Sequence, residues 1–142
     1  MISVLDANIA LKWGLSEPQS VQAIHLRDEF HQGLRDFIAP DVFPVEVAHA
    51  LARAERRRII PVGDGIQKLA DVLRSLPRLY PSLPDLLPRA FAIASQFRIG
   101  VYDCLYVALA EREGCELVTA DDRLVRTLQP QFPFVIPLPA VP

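Results

Sequence analysis

Four acidic residues in this chain lack the neighbours that would make them ordinary. Asp103 stands at the head of an apolar helical pattern, and Asp121 follows the short apolar run Glu116 to Thr119. Asp6 directly follows Ile2-Ser3-Val4-Leu5, and Glu46 comes a few residues after Phe37-Ile38-Ala39. A surface carboxylate on a helix is usually solvated or paired with a basic residue three or four positions away. At those offsets Asp6 meets Ser3, Ile2, Ile9 and Ala10, and Glu46 meets Phe43, Val42, His49 and Ala50. Asp103 meets Gly100, Ile99, Tyr106 and Val107, and Asp121 meets Val118, Leu117, Leu124 and Val125. None of these is Lys or Arg. Asp122, by contrast, has Arg126 at i+4 and Thr119 at i−3, so a capping-box role accounts for it. Each of the four also sits near a predicted helix start, where an acid is stabilising as a cap. As a group they share apolar surroundings and one end of an alternating strand–helix pattern. Carboxylates that converge in one cleft repel and raise each other's pKa values, a penalty that a divalent cation removes. Oxygen-only ligands with retained waters suit Mg²⁺ or Mn²⁺ rather than zinc. The expectation is a metal site walled by Asp6, Glu46, Asp103 and Asp121.

Other chemistries fit less well. His25, His31 and His49 fall on predicted helices and make no metal-ligand pair at i, i+4; His49 alone is placed to line a cleft beside Glu46. Cys104 has no evident base beside it, and the six glycines are scattered singly, with no phosphate-cradling loop. Arg56-Arg57-Arg58 closes a predicted helix, where cations complement the dipole whether or not they also touch a phosphate backbone.

The elements that must position these acids follow from the apolar periodicity. Ile2–Leu5, Phe37–Ala39, Arg78–Tyr80, Glu116–Thr119 and Phe134–Ile136 are predicted strands. Helices are predicted over Ile9–Trp13, from the capping pattern Ser16-Glu17-Pro18-Gln19 to near Gly33, over Phe43–Arg58, and around Ile66–Leu73. Two more run from a Ser82–Asp85 cap to Phe97 and from Tyr102 to Glu113, with Gly114 as C-cap, and a short one follows Asp121. Val47, Ala50, Leu51 and Ala54 form one inward stripe, and Ile66, Leu69, Ala70 and Leu73 another. The helix ending at Phe97 is apolar on most sides and is predicted to be buried. Strands alternating with helices imply a parallel sheet covered on both faces, with ligands outside the carboxyl ends of its strands.

Composition agrees with one compact domain over residues 1–142. The chain is 51% hydrophobic with a net charge of −2, a pI near 5.9 and a mean hydropathy of +0.21, so no basic field advertises nucleic acid. No signal-peptide pattern opens it and no apolar run reaches membrane-spanning length, which excludes a membrane partner at this level. Cys104 and Cys115, roughly 16 Å apart along a helix, are too far for a disulfide and read as thiols of a reduced, cytoplasmic protein.

These residues also carry a resemblance over essentially the whole chain. Leu5-Asp6-Ala7-Asn8, Pro40-Asp41 with Val45-Glu46-Val47 and Ala50-Leu51, Val101 to Tyr106 leading into Ala108-Leu109-Ala110, and Leu117-Val118-Thr119-Ala120-Asp121 with Leu124, in that order, resemble the PIN-domain ribonucleases and among them the VapC-type toxins of bacterial toxin–antitoxin pairs. The resemblance implies a three-layer α/β/α sandwich on a short parallel sheet, often dimeric. It maps the family's acidic quartet onto Asp6, Glu46, Asp103 and Asp121, and its polar helpers onto Asn8 and Thr119. It implies Mg²⁺-dependent hydrolysis of an RNA substrate and a small antitoxin partner that blocks the site. Cys104 stands where such toxins more often carry alanine, and the Asp121-Asp122 pair offers two candidates for the last acid. Two other readings remain open at this point: another Mg²⁺-dependent phosphoryl hydrolase, such as an aspartyl-phosphate phosphatase using Asp6, and a catalytically silent domain that only binds a protein.

Overall fold

Parallel strands buried on both faces must be apolar throughout, and the first strand is. The computed structural model describes residues 1–141. In it β1 (Ile2–Leu5) lies at the centre of a five-stranded sheet, with Val4 and Leu5 fully buried. β2 (Asp36–Pro40) and β3 (Arg78–Tyr80) extend the sheet on one side; β4 (Glu116–Thr119) and β5 (Val135–Pro137) extend it on the other. The order is β3-β2-β1-β4-β5 and every pairing is parallel. The predicted strands are all present.

Parallel neighbours need crossovers, and these are right-handed. The crossovers from β1 to β2 to β3 therefore put α1 (Ala7–Gly14), α2 (Ser20–His31), α3 (Phe43–Arg56) and α4 (Gly65–Leu73) on one face, where α1 packs against the other three. On the return to β4 the chain crosses behind the sheet. α5 (Leu86–Phe97) and α6 (Val101–Glu113) pack on each other, and α6 lies across β1, β2 and β4. α7 (Asp122–Leu128) packs on β5, and a closing 3-10 turn, Leu138–Ala140, reaches α2. The predicted three-layer sandwich is the observed architecture. No helix of the described residues is long and apolar enough to cross a membrane.

α6 explains its own lack of a polar stripe. Seven consecutive residues, Cys104 to Ala110, are buried, because the helix is covered by the sheet on one side and by α5 on the other. Gly114 ends it in the left-handed conformation, φ 66°, that glycine adopts without penalty. α3 buries Phe43, Val47, Leu51 and Ala54, as its spacing predicts, while Ala50 is only half-buried.

Several local expectations fail. α4 buries Gly65 and Val72 and half-buries Leu69, so Ile66, Ala70 and Leu73 face outward, against the predicted stripe. α5 is not buried all round: Leu86, Ala90 and Ile93 face the core, but Phe91 is 68% exposed. Ser16 does not cap α2, which starts at Ser20 after Gln19 in a left-handed conformation with no side-chain cap. Ser82 does not cap α5; its backbone amide and hydroxyl donate to the Asp41 carboxylate instead. At Ser82 a tertiary partner, Asp41, outbids the local signal. Both cysteines are free thiols.

Candidate active site

Open parallel sheets bind ligands where the strand order reverses, outside the carboxyl ends of the strands. Here that point lies between β1 and β4, and the two strands end in Asp6 and in Thr119-Ala120-Asp121. The register Leu5↔Val118 sets Asp6 beside Thr119. Thr119 Oγ1 donates to Asp6 Oδ2 at 2.9 Å. The same oxygen accepts from Asn8 Nδ2 at 3.2 Å and from the Asp121 backbone amide at 3.1 Å. One hydroxyl thus uses its single proton and both lone pairs to tie β1, α1 and the start of α7 together. Asn8 completes the net: its Oδ1 accepts from the Ala120 amide at 3.0 Å, and its own amide donates to Asp6 Oδ1 at 3.3 Å.

Asp6 and Asp121 are also the N-caps of α1 and α7. Asp121 Oδ1 accepts from the Leu124 amide at 3.1 Å. The capping role predicted for Asp122 therefore belongs to Asp121; Asp122 is the exposed first residue of α7 and makes no ion pair with Arg126. Capping and membership of the cluster are compatible, since a cap occupies one carboxylate oxygen and leaves the other.

Glu46 arrives on the first turn of α3, just past the end of β2, and Asp103 on the first turn of α6. With Asp6 and Asn8, both line one cleft of about 800 Å³, which His49 joins, as its position next to Glu46 on the helix predicts. Asp121 and Asp103 line a smaller cleft of about 200 Å³ on the other side of Asp103. Asp103 is the common neighbour: its charge acts on Asp6 and on Glu46, and the charge of Asp121 acts on it. Burial first, then Asp103 and, more weakly, Glu46, raise the Asp6 carboxyl to about 7, although Thr119 and the Asn8 amide pull it down. Burial and Asp103 likewise raise Glu46, and burial and Asp121 raise Asp103. Among the described residues no Lys, Arg or His forms an ion pair with any of the four. No three of the described acidic, histidine or cysteine side chains stand close enough, as placed, to form a ready metal cage.

One participant escaped the sequence reading. Tyr106, one turn after Asp103 on α6, is fully buried with its hydroxyl beneath the acids, and its ionisation is pushed far up by burial and then by Asp6 and Glu46. The hydroxyl lacks a hydrogen bond of ordinary geometry, as does the buried Glu46 Oε1, yet it lies near enough to Glu46 to hold that carboxyl partly down. The signal in the sequence was a phenol at i+3 from Asp103 inside an otherwise apolar run.

Comparison with known proteins gives the family. Residues 3–128 match the PIN domain family. The chain is 34% identical to Ribonuclease VapC9 of Mycobacterium tuberculosis, over 94% of this chain and 96% of that one. It is 33% identical to Ribonuclease VapC3 of Pyrobaculum aerophilum, over 94% and 96% of the two chains. The fold superposes on the crystal structure of VapBC2 from Rickettsia felis bound to a DNA fragment from their promoter, with a TM-score of 0.66 at 15% identity over 96% of this chain and 97% of that one. The chain belongs to the PIN-domain family, and within it to the VapC ribonucleases.

Proposed function

We propose that the protein is a Mg²⁺-dependent endoribonuclease, the toxin of a toxin–antitoxin pair, with Asp6, Glu46, Asp103 and Asp121 as its working acids. The observation that carries the site is the acid cluster itself: four carboxylates at the switch point, three of them raised, and none held in an ion pair among the described residues. Such a cluster is poised for a divalent ion. Mg²⁺ is usually held by one or two carboxylates, retained waters and substrate phosphate rather than by an all-protein cage, so the absence of a closed cage fits it better than it fits zinc. The orphaned Glu46 Oε1 supports the same reading, because a buried acceptor without a donor awaits one.

When bound, the ion polarises the phosphoryl oxygens and makes water a stronger acid. Asp6, Asp103 and Asp121 would hold it. Thr119 and the Asn8 amide fix both Asp6 oxygens, so that this ligand does not have to be ordered at the moment of binding. Glu46 Oε1 accepts a proton of the attacking water. The water oxygen bonds to phosphorus as the bond to the 3′ oxygen breaks in line, and the leaving oxygen takes up a proton from solvent. The ribose 2′-hydroxyl has no part, so the ends are 5′-phosphate and 3′-hydroxyl.

The phosphatase alternative needs a second acid where Asn8 stands and a lysine in the site. Asn8 spends its amide on Ala120 and Thr119, and no lysine lines either cleft. An antitoxin and a second copy of the chain are the proposed protein partners. They suit apolar surface at two places: α4 leaves Ile66 72% exposed beside Ala70 and Leu73, and α5 leaves Phe91 outward. Two free thiols support a cytoplasmic location, and one continuous core supports a single nuclease domain over residues 1–142.

Asp103→Asn keeps the shape of the side chain and removes the charge that couples the cluster. RNA cleavage with Mg²⁺ is expected to fall by about a hundredfold or more, the scale on which a group used in the transition state registers. A folded variant that cuts RNA at the wild-type rate would sink the assignment.

A further inference from the structure

The acids sit in the middle of a longer depression. On one side of Asp103 the larger cleft has a mostly apolar wall that includes Val42, Val45 and Tyr102. On the other, the smaller cleft is lined by Arg98, Arg123 and Thr127. Asp103 lines both, so the two form one path with an aromatic end and a cationic end.

Tyr102 is 60% exposed. Two half-buried rings carry cations, with the guanidinium groups of Arg78 and Arg112 over Tyr80 and that of Arg27 over Trp13, and the other strongly exposed ring, Phe91, lines neither cleft. Tyr102 has no such cover among the described residues, and it neighbours a proposed catalytic acid. Arg98 and Arg123 are equally bare. Arg35, Arg74, Arg78, Arg89 and Arg112 pair with carboxylates; Arg98 and Arg123, like the Arg56-Arg57-Arg58 run, pair with none among the described residues, and these two stay unpaired although Asp103 and Asp121 line the same cleft. Arg98 is also the C-cap of α5 at φ 57°, a left-handed position that favours glycine, so a long cation is kept there against backbone preference.

We propose that this path seats single-stranded RNA, with backbone phosphates on Arg98 and Arg123 and a base flanking the scissile phosphate stacked on Tyr102. The inference rests on the ribonuclease reading and adds the part that grips the substrate. Two free guanidinium groups match phosphate, to which arginine binds in a bidentate fork. A bare ring in an apolar groove matches the face of any base. Bases in a duplex are already stacked on one another, so a base can reach Tyr102 only from an unpaired strand. The acids lie between the two grips, which places a phosphate against them.

The test uses the full chain and one fluorescent single-stranded RNA. Turnover is measured with Mg²⁺, and binding by anisotropy in chains that also carry Asp103→Asn, which removes a repelling charge from the seat. Tyr102→Ala is expected to raise KM and Kd by roughly five- to a hundredfold, and Tyr102→Phe to recover most of the loss because the ring remains. Arg98→Gly and Arg123→Ala are each expected to flatten the dependence of log Kd on log salt by about 0.7. Arg98→Gly should do so with no loss of thermal stability, since glycine accepts the backbone angle. If wild type cuts RNA while Tyr102→Ala and both arginine variants match it in KM, Kd and salt slope, the seat is wrong and the ribonuclease reading stands. If wild type neither cuts nor binds RNA, both fall. If Tyr102→Ala turns over RNA normally but escapes inhibition by the cognate antitoxin, the groove belongs to the protein partner and the proposal is overturned.

Discussion

Thr119 is the residue on which the site's order depends, because its hydroxyl joins Asp6, Asn8 and the Asp121 amide in one net. That net keeps Asp6 in place although its charge is costly there. An isolated carboxyl titrates near 3.8, whereas Asp6 in the metal-free fold titrates at about 7. The fold therefore binds a proton that the unfolded chain has already released. Stability is unpenalised below the ordinary carboxylate range, falls as the pH climbs toward 7, and is constant above it. Asp6→Asn keeps an acceptor for Thr119 and carries no charge. In the presence of chelator it should be more stable than wild type at about pH 8, by up to a few kcal/mol, with the gain shrinking toward zero as the pH approaches 4. Urea unfolding across that range measures it; a gain independent of pH would mean that Asp6 is not held as a buried acid. Asp6 stood out in the sequence because no neighbour could pair with it, and the spacing to Arg126 and Thr119 pointed to Asp122 as a cap. That spacing misled, because which of two adjacent acids caps a helix depends on where the helix starts.

At the scale of elements, α6 does most to build the site. It delivers Asp103 at its first turn and Tyr106 one turn later, and it can be apolar around its whole circumference only because the sheet and α5 cover it. The Tyr106 hydroxyl holds the Glu46 carboxyl down against burial and Asp103. Tyr106→Phe removes that restraint, so Glu46 should titrate higher still. The acidic limb of the kcat/KM profile for RNA cleavage is then expected to move to higher pH, while stability changes by no more than about 1 kcal/mol, because the lost hydroxyl has no good partner. An unmoved limb would separate Tyr106 from Glu46. α6 and α3 were legible because strict periodicity or unbroken apolarity reports burial directly. α4 and α5 were not: an apolar residue on a helix can face the core or the solvent, and Ile66 and Phe91 face the solvent.

For the molecule as a whole, the strand order gathers the acids. Asp6 and Asp121 leave adjacent strands at the switch point, and α3 and α6 begin at the same end of the sheet. Divalent-ion binding should therefore stabilise the entire fold. Mn²⁺ or Mg²⁺ is expected to raise Tm more at about pH 8 than at about pH 5, since the ligands must give up protons to bind. Asp103→Asn should abolish most of that rise. Calorimetry with each ion checks it, and a rise equal at both pH values would count against carboxylate ligands.

The sequence alone determined the alternation of strands and helices, the parallel sheet, and the four acids without local partners, because apolar spacing and the absence of a nearby cation are properties of neighbours along the chain. Only the tertiary structure decided that Asp103 couples to the other three acids, that Thr119 and Asn8 lock Asp6, that Tyr106 lies beneath the cluster, and that Asp121 rather than Asp122 caps α7. Each of those depends on register and crossover, which bring Leu5 beside Val118 across more than a hundred residues of intervening chain and lay α6 across β1.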